Sequence, residues 1–234
     1  MSNTKSIYVR FVKIHLNNYG IFSGSQELDF SRHRTLILGR NGTGKTTIVN
    51  ALAQLGPVQG VKPNNRAMRP DMSVDVVTKG NRDLVKEHSS LIFLSSESRE
   101  LPMFNQEAPF TGMLSHQNGE AVRTEAWETL HAMLYRKPWK AESRKDLSPL
   151  TMAAGEQVCF VFAYAFAVRK VLNLDLPVVL DSPYSRIDSQ QRWAVRTFLK
   201  EQPYQQILLG NESEFSEEDK PQYVLDYAEG YPAS

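Results

Sequence analysis

The sequence predicts an α/β fold, a mixed sheet with flanking helices and an antiparallel β part at its N-terminus. Three stretches predict it. Thr35–Leu38 is a short apolar strand that feeds a glycine-rich loop, and Thr46–Leu55 is a helix closed by Gly56 and Pro57. Pro177–Asp181 (PVVLD) is apolar up to its last residue, the pattern of a parallel strand buried on both faces. Ile7–Leu16 sets Ile7, Val9 and Phe11 against Tyr8 and Arg10, which reads as a half-solvated strand, with a turn at Asn17–Gly20.

The loop carries the chemistry. Gly39, four residues, Gly44, Lys45 and Thr46 spell G-x-x-x-x-G-K-[ST]. Holding a triphosphate needs inward-facing backbone N–H groups with no side chain in the way, which glycines at 39, 42 and 44 permit. Lys45 can then reach the β- and γ-phosphates, and the Thr46 hydroxyl can bind Mg²⁺. The N-terminus of the following helix adds partial positive charge. A strand–loop–helix context makes a chance match improbable, so the class expected is a P-loop nucleotide-binding protein using ATP and Mg²⁺.

The other elements follow in order. Gln26–Phe30 reads as the returning strand, and Gly56–Pro70 as irregular chain holding Lys62, Arg66 and Arg69. Ser73–Thr78 and Ser90–Leu94 read as strands joined from Lys79-Gly80-Asn81, and Leu101–Gly119 as a loop. Glu120–Lys137, Glu156–Asn173 and Ser189–Glu201 read as helices, Gln206–Leu209 and Tyr223–Asp226 as late strands. The single domain over 1–234 then has a phosphate-loop lobe (1–100), a connection (101–150) and a second lobe (151–234).

Composition bounds the function without naming it. At 234 residues and 41% hydrophobic the chain can bury a large core, and a net charge of +1 selects no partner. Residues 1–90 hold 13 Lys/Arg against 6 Asp/Glu, whereas 201–234 hold 8 acids and one Lys. The basic groups Arg32-His33-Arg34 and Lys62/Arg66/Arg69 are compatible with DNA phosphates or with a plain solvated surface. The single cysteine, Cys159, lies in an apolar run and reads as buried packing, with no disulfide possible inside the chain. Val158–Val168, the longest apolar run, is too short to span a bilayer, and the first ten residues are polar and basic. A cytoplasmic protein with no membrane partner is expected. The histidines at 15, 33, 88, 116 and 131 lack metal-ligand spacing. Trp193, Val195, Arg196 and Leu199 read as a helix packing face.

The second half supplies the complement of a phosphate loop. Asp181, at the end of an apolar strand, is the candidate for holding the Mg²⁺ shell. Upstream, AAGEQ (153–157) opens the apolar helix with a glycine at its start, an anion-favouring arrangement. The order GRNGTGKTT, AAGEQ, PVVLDSPYSRID resembles ABC-type ATPase heads of the SMC class, and VKIHLNNYGIFSGSQELDF resembles the opening of SMC and RecF-like heads. Within that class the chain looks most like DndD, the ATPase of DNA phosphorothioation systems, across about 7–215. The resemblance implies that Gly39, Arg40, Asn41, Gly42, Thr43, Gly44, Lys45, Thr46 and Thr47 wrap the phosphates and Mg²⁺. It makes Asp181 the Walker B aspartate, puts Gly155 and Glu156 in the signature, and puts Ser185–Asp188 in the D-loop. Gln106 is the nearest candidate for the Q-loop glutamine.

Three departures from the family pattern imply slow turnover. Ser182 stands where such heads carry the water-orienting Glu, Ala153 where the signature serine falls, and Gly210-Asn211-Glu212 where the switch histidine belongs. A hydroxyl or amide can position water but is no strong base. Restoring the acid with Ser182→Glu is expected to speed hydrolysis if the local geometry accepts it. Only 55 residues separate Ser96 from Met152, without sustained heptads, so the long coiled coil of SMC proteins is missing. The helix there, around Trp127 and Leu130, reads as ordinary packing. The resemblance implies an ATP-dependent homodimer acting in DNA modification, repair or anti-phage defence with partner proteins of such a system. The competing expectation is a nucleotide-gated dimer clamp or sensor for a partner protein, with incidental hydrolysis.

Overall fold

A computed structural model describes residues 8–57, 72–95, 116–135 and 152–226. The chain divides into two units, the first holding residues up to Ser95, Asp175–Pro183 and everything from Tyr204 onward. The second takes Ser96–Leu174 and Tyr184–Pro203.

The first unit contains two sheets. β1 (Val9–Asn17) pairs antiparallel with β2 (Ser25–Asp29) on one side and β4 (Ser73–Gly80) on the other. The β1–β2 connection closes by Asn18, whose Oδ1 accepts the Gly24 N–H at 2.8 Å and whose own N–H reaches the Gly24 carbonyl at 2.9 Å. The second sheet has the order β5-β6-β7-β3-β8, every pair parallel. Its strands are β3 (Arg34–Gly39), β5 (Phe93–Ser95), β6 (Val178–Asp181), β7 (Gln206–Gly210) and β8 (Tyr223–Leu225). β7 is buried along its whole length and β3 and β6 along nearly all of theirs, which is why they read as unbroken apolar runs.

A buried glutamine ties the two sheets together. A register shift between Phe11 and Lys13 marks a bulge in β1, and Gln205 fills the ladder there. Its Oε1 accepts the Phe11 N–H at 2.9 Å, while its Nε2 donates to the carbonyls of Phe11 at 2.7 Å and Phe30 at 2.6 Å. Three backbone groups that would otherwise lie orphaned in the core are thereby satisfied.

α1 (Lys45–Gln54) buries Ile48, Ala51 and Leu52 and ends in a left-handed Leu55. Between β4 and β5 run two short helices, α2 (Asp83–Glu87) and α3 (Ser89–Ile92). The strand expected over Ser90–Leu94 is therefore corrected: its first three residues are helical and only Phe93–Ser95 is strand. The His88 carbonyl accepts N–H groups from Leu91 and Ile92, and an apolar run this short has no periodicity to separate helix from strand. Lys79 and Gly80 also belong to β4 rather than to the connection beyond it.

The second unit is helical. α4 (His116–Tyr135) packs along α5 (Ala154–Val171), and α6 (Ser189–Glu201) packs against both. The Trp127 and Phe160 rings stand 4.9 Å apart, and Phe166 meets Phe198 edge-on at 5.1 Å. Trp127 and Leu130 are buried, as ordinary packing requires. α4 begins at His116, not after Gly119, because one glycine costs a helix only about 1 kcal/mol. Trp193 departs from the expected packing face: it is 48% exposed, while Val195 and Leu199 on the same helix are buried. Among the described residues no helix is long and apolar enough to cross a membrane. The expectations for most of Gly56–Pro70, including Lys62, Arg66 and Arg69, for most of Leu101–Gly119 and for Gln106 lie outside the described residues.

Candidate functional site: a phosphate loop at the carboxyl edge of a parallel sheet

The parallel sheet brings the first half of the site together. β3 releases the loop at Gly39, β6 ends at Asp181, and β7, which lies between them, ends at Gly210. The registers Leu38 to Gly210 and Asp181 to Leu209 put these ends level, at the carboxyl edge where open α/β sheets bind ligands.

The loop itself needs its glycines. Gly42 and Gly44 have φ of 86° and 95°, a region that L side chains avoid. A Cβ on Gly44 would lie 2.6 Å from the Phe22 ring, so the β1–β2 turn backs directly onto the loop. At Gly39 the same atom would strike the Thr43 hydroxyl, which instead donates to the Arg40 carbonyl at 2.9 Å. Arg40, Asn41, Gly42 and Thr46 are exposed, whereas Thr43 and Lys45 are buried.

Lys45 is the centre of the site. Its ammonium donates to the carbonyls of Gly39 at 2.5 Å and Arg40 at 2.9 Å, and to Asn211 Oδ1 at 3.3 Å. Those three acceptors match its three N–H donors. Burial pushes its pKa below the usual lysine range, while the carboxylates of Asp181 and Glu214 pull it back up. Both carboxylates therefore act electrostatically on Lys45.

Ser182 does not continue the strand. It sits at φ 50°, its N–H bonded to the Leu209 carbonyl at 2.7 Å and its Oγ donating to Asp181 Oδ1 at 3.3 Å. The chain turns left-handed directly after Asp181, a conformation that costs a side-chain-bearing residue about 1–2 kcal/mol. Serine already bears that cost; what a glutamate would change is the hydroxyl that donates to Asp181, replaced by a second carboxylate beside it.

Asn211, placed by the sequence only in the stretch that replaces the switch histidine, and Glu214, which the sequence left unassigned, complete this half. Asn211 bonds Lys45 through Oδ1, and its Nδ2 approaches Asn41 Oδ1 at 3.5 Å. Glu214 is only 4% exposed, and its Oε1 accepts the Asn211 N–H at 3.0 Å. The N-x-x-E spacing of Asn211 and Glu214, that of a capping box, was the available signal.

In the second unit, the signature and D-loop candidates converge on one corner. Ala153 precedes α5 and offers no side-chain cap; the Glu156 carboxylate instead accepts the Ala153 N–H at 3.1 Å. Asp188 caps α6 by accepting the Gln191 N–H at 2.8 Å. A Cβ on Gly155 would collide with the Gln191 side-chain oxygen and come within 3.4 Å of the Arg186 carbonyl, so only glycine lets the two helix starts meet here. Cys159, one turn further along α5, feels the result. Burial first, then the Asp188 and Glu156 carboxylates, raise its thiol pKa to about 12.

Of the basic trio, Arg32 and His33 are exposed, while Arg34 lies 3.8 Å from the Asp219 carboxylate.

A family model described as an AAA domain matches residues 13–56, from β1 through the phosphate loop and α1. No curated protein matches the sequence. Among solved structures, the SMC head domain from Thermotoga maritima superposes with a TM-score of 0.53 at 15% identity, covering 88% of this chain and 90% of that one. The Smc head of Pyrococcus furiosus with an extended coiled coil, bound to the C-terminal domain of ScpA, gives 0.58 at 13% identity, covering 88% and 90%. A dimeric ATP-binding cassette in a post-hydrolysis state bound to ADP and Pi gives 0.52 at 16%, covering 85% and 88%. The chain therefore has the P-loop NTPase fold of ABC- and SMC-type ATPase heads, with its phosphate loop and its Asp181 strand in one parallel sheet.

Proposed function

We propose that the chain binds ATP with Mg²⁺ through Gly39–Thr47 and hydrolyses it slowly as a head that closes on a second copy of itself. One observation carries this reading. The buried Lys45 ammonium, the glycine-wrapped loop and the Asp181 carboxylate meet at one edge of the parallel sheet, with the N-terminus of α1 directed at the same place. The donor set suits Mg²⁺, a hard cation that takes oxygen ligands: the Thr46 hydroxyl and the Asp181 carboxylate would hold it through one or two protein oxygens. When bound, the ion neutralises charge on the β- and γ-phosphates. Lys45 gives up its contacts with the Gly39 and Arg40 carbonyls and bonds phosphate oxygens instead.

The phosphate loop covers one side of a triphosphate. The corner formed by Gly155, Glu156 and Asp188 would cover the other in a head-to-tail pair, the N-terminus of α5 adding favourable partial charge. The cellular role we assign is a DndD-like one in DNA modification, repair or anti-phage defence, within a cytoplasmic complex that includes partner proteins and DNA. The ScpA-bound head lends support by likeness for the protein partner, and the exposed Arg32 and His33 for the DNA.

The left-handed Ser182 favours a second reading. With no carboxylate following Asp181, ATP would act as a clamp or sensor ligand for a partner protein, and hydrolysis would be incidental. Steady-state ATPase measurements with and without duplex DNA separate the two. Turnover stimulated by DNA is the expected result; tight ATP binding with negligible turnover under both conditions gives the second reading.

A further inference from the structure

We propose that Glu214 is a positioning residue that sets the Asn211 amide to read the third phosphate of the nucleotide, a role resting on the ATP reading above. Glu214 belongs to the short 3-10 turn Glu212–Glu214 that follows β7, and its side chain is turned back into the protein. Its Oε1 accepts the Asn211 N–H at 3.0 Å, and the Asn211 carbonyl accepts the Glu214 N–H at 3.0 Å, so the two residues hold each other. Gly210 makes room for this fold-back. A Cβ there would lie 2.6 Å from the Phe215 ring and 3.3 Å from the Glu214 carboxyl carbon.

The amide held in this way spans the mouth of the phosphate loop. Asn211 Oδ1 accepts from Lys45 on one side, and Nδ2 points to Asn41 on the other. Once phosphate oxygens draw Lys45 away, the amide loses an acceptor role and keeps two N–H donors that can serve the terminal phosphate. A diphosphate leaves those donors without that partner. Glu214 would repel a phosphate met directly. Behind Asn211, with an N–H already on its oxygen, it serves as the anchor that keeps the amide in place.

The test measures the affinities of ATPγS and ADP for the full chain in Mg²⁺ by calorimetry and takes their ratio, with thermal melts as a fold control. Asn211→Ala and Glu214→Ala should each lower the ATPγS preference about tenfold, the loss of one hydrogen bond to a charged phosphate. Glu214→Gln keeps an oxygen acceptor for the Asn211 N–H and should stay within about twofold of the parent. The Asn211→Ala/Glu214→Ala double variant should be no worse than Asn211→Ala alone, since the two act as one unit. Should Glu214→Ala not fold, Glu214→Asp, which retracts the acceptor by one methylene, should lower the ratio in its place.

A melting temperature that falls in Glu214→Ala or Glu214→Asp while the ratio holds makes Glu214 a plain structural cap and overturns the proposal. Additive losses in the double variant also overturn it, and in both cases the ATP reading stands. Failure of the parent chain to bind either nucleotide overturns both.

Discussion

Lys45→Ala gives the sharpest view of the site, because the structure sets two effects against each other. In the nucleotide-free protein the lysine satisfies two loop carbonyls and Asn211, yet burial disfavours its charge. Removing it loses those bonds and relieves the desolvation of a cation, so the melting temperature should move little. The nucleotide complex has no such compensation. There the ammonium bonds the β- and γ-phosphates, and each charge-assisted hydrogen bond contributes about 1.5–3 kcal/mol. Two of them come to about 3–6 kcal/mol, at least a hundredfold in dissociation constant. Titration of a fluorescent ATP analogue in Mg²⁺ should therefore show binding weakened by a hundredfold or more in a variant that still melts normally. An affinity within threefold of the parent would refute the assignment of the loop as a triphosphate site.

Other expectations follow from single residues. Ser182→Glu should fail to accelerate hydrolysis and should lower stability by about 1 kcal/mol, since it replaces the hydroxyl that donates to Asp181 with a second carboxylate beside it; single-turnover kinetics and a urea melt read both quantities. Gln205→Leu should cost about 3 kcal/mol or more, because it strands the Phe11 N–H and the Phe11 and Phe30 carbonyls in the core. A denaturant midpoint unchanged from the parent would remove its role as the tie between the sheets. Cys159, fully buried with a thiol pKa raised to about 12, should stay protonated and unreactive toward Ellman's reagent at pH 8 until the protein unfolds. Rapid labelling of the native chain would contradict the packing of α5.

The contrast between what the sequence revealed and what it hid is itself physical. The phosphate loop, α1, β6 and β7 were legible because their determinants are local: glycines where the backbone turns left-handed, unbroken apolar runs where strands are buried on both faces. Asp181 was legible for the same reason, as the polar residue ending such a run. α6 was legible through its cap, Asp188, and its end before Pro203. Three features were hidden because they depend on residues distant in sequence. Gln205 becomes meaningful only when the β1 bulge, 194 positions away, lies beside it. Asn211 and Glu214 acquire a role only when β7 settles beside β3. Ser182, whose N–H is tied to the Leu209 carbonyl of the neighbouring strand, shows its left-handed backbone in the dihedral angle and not in the residue name. Trp193 misled for the converse reason, since helical spacing says that a face exists but not that it is covered.

The central claim, that one head's nucleotide is completed by another head's α5 corner, is tested most directly by the mass of the chain in solution. Sedimentation equilibrium should give a monomer without nucleotide and with ADP, and a dimer with saturating ATP and Mg²⁺. A change of Gly155 to a bulky residue such as leucine should abolish that dimer while leaving ATP binding to the loop intact. A chain that remains monomeric with saturating ATP and still hydrolyses it would contradict the account, because its site would then be complete within one molecule.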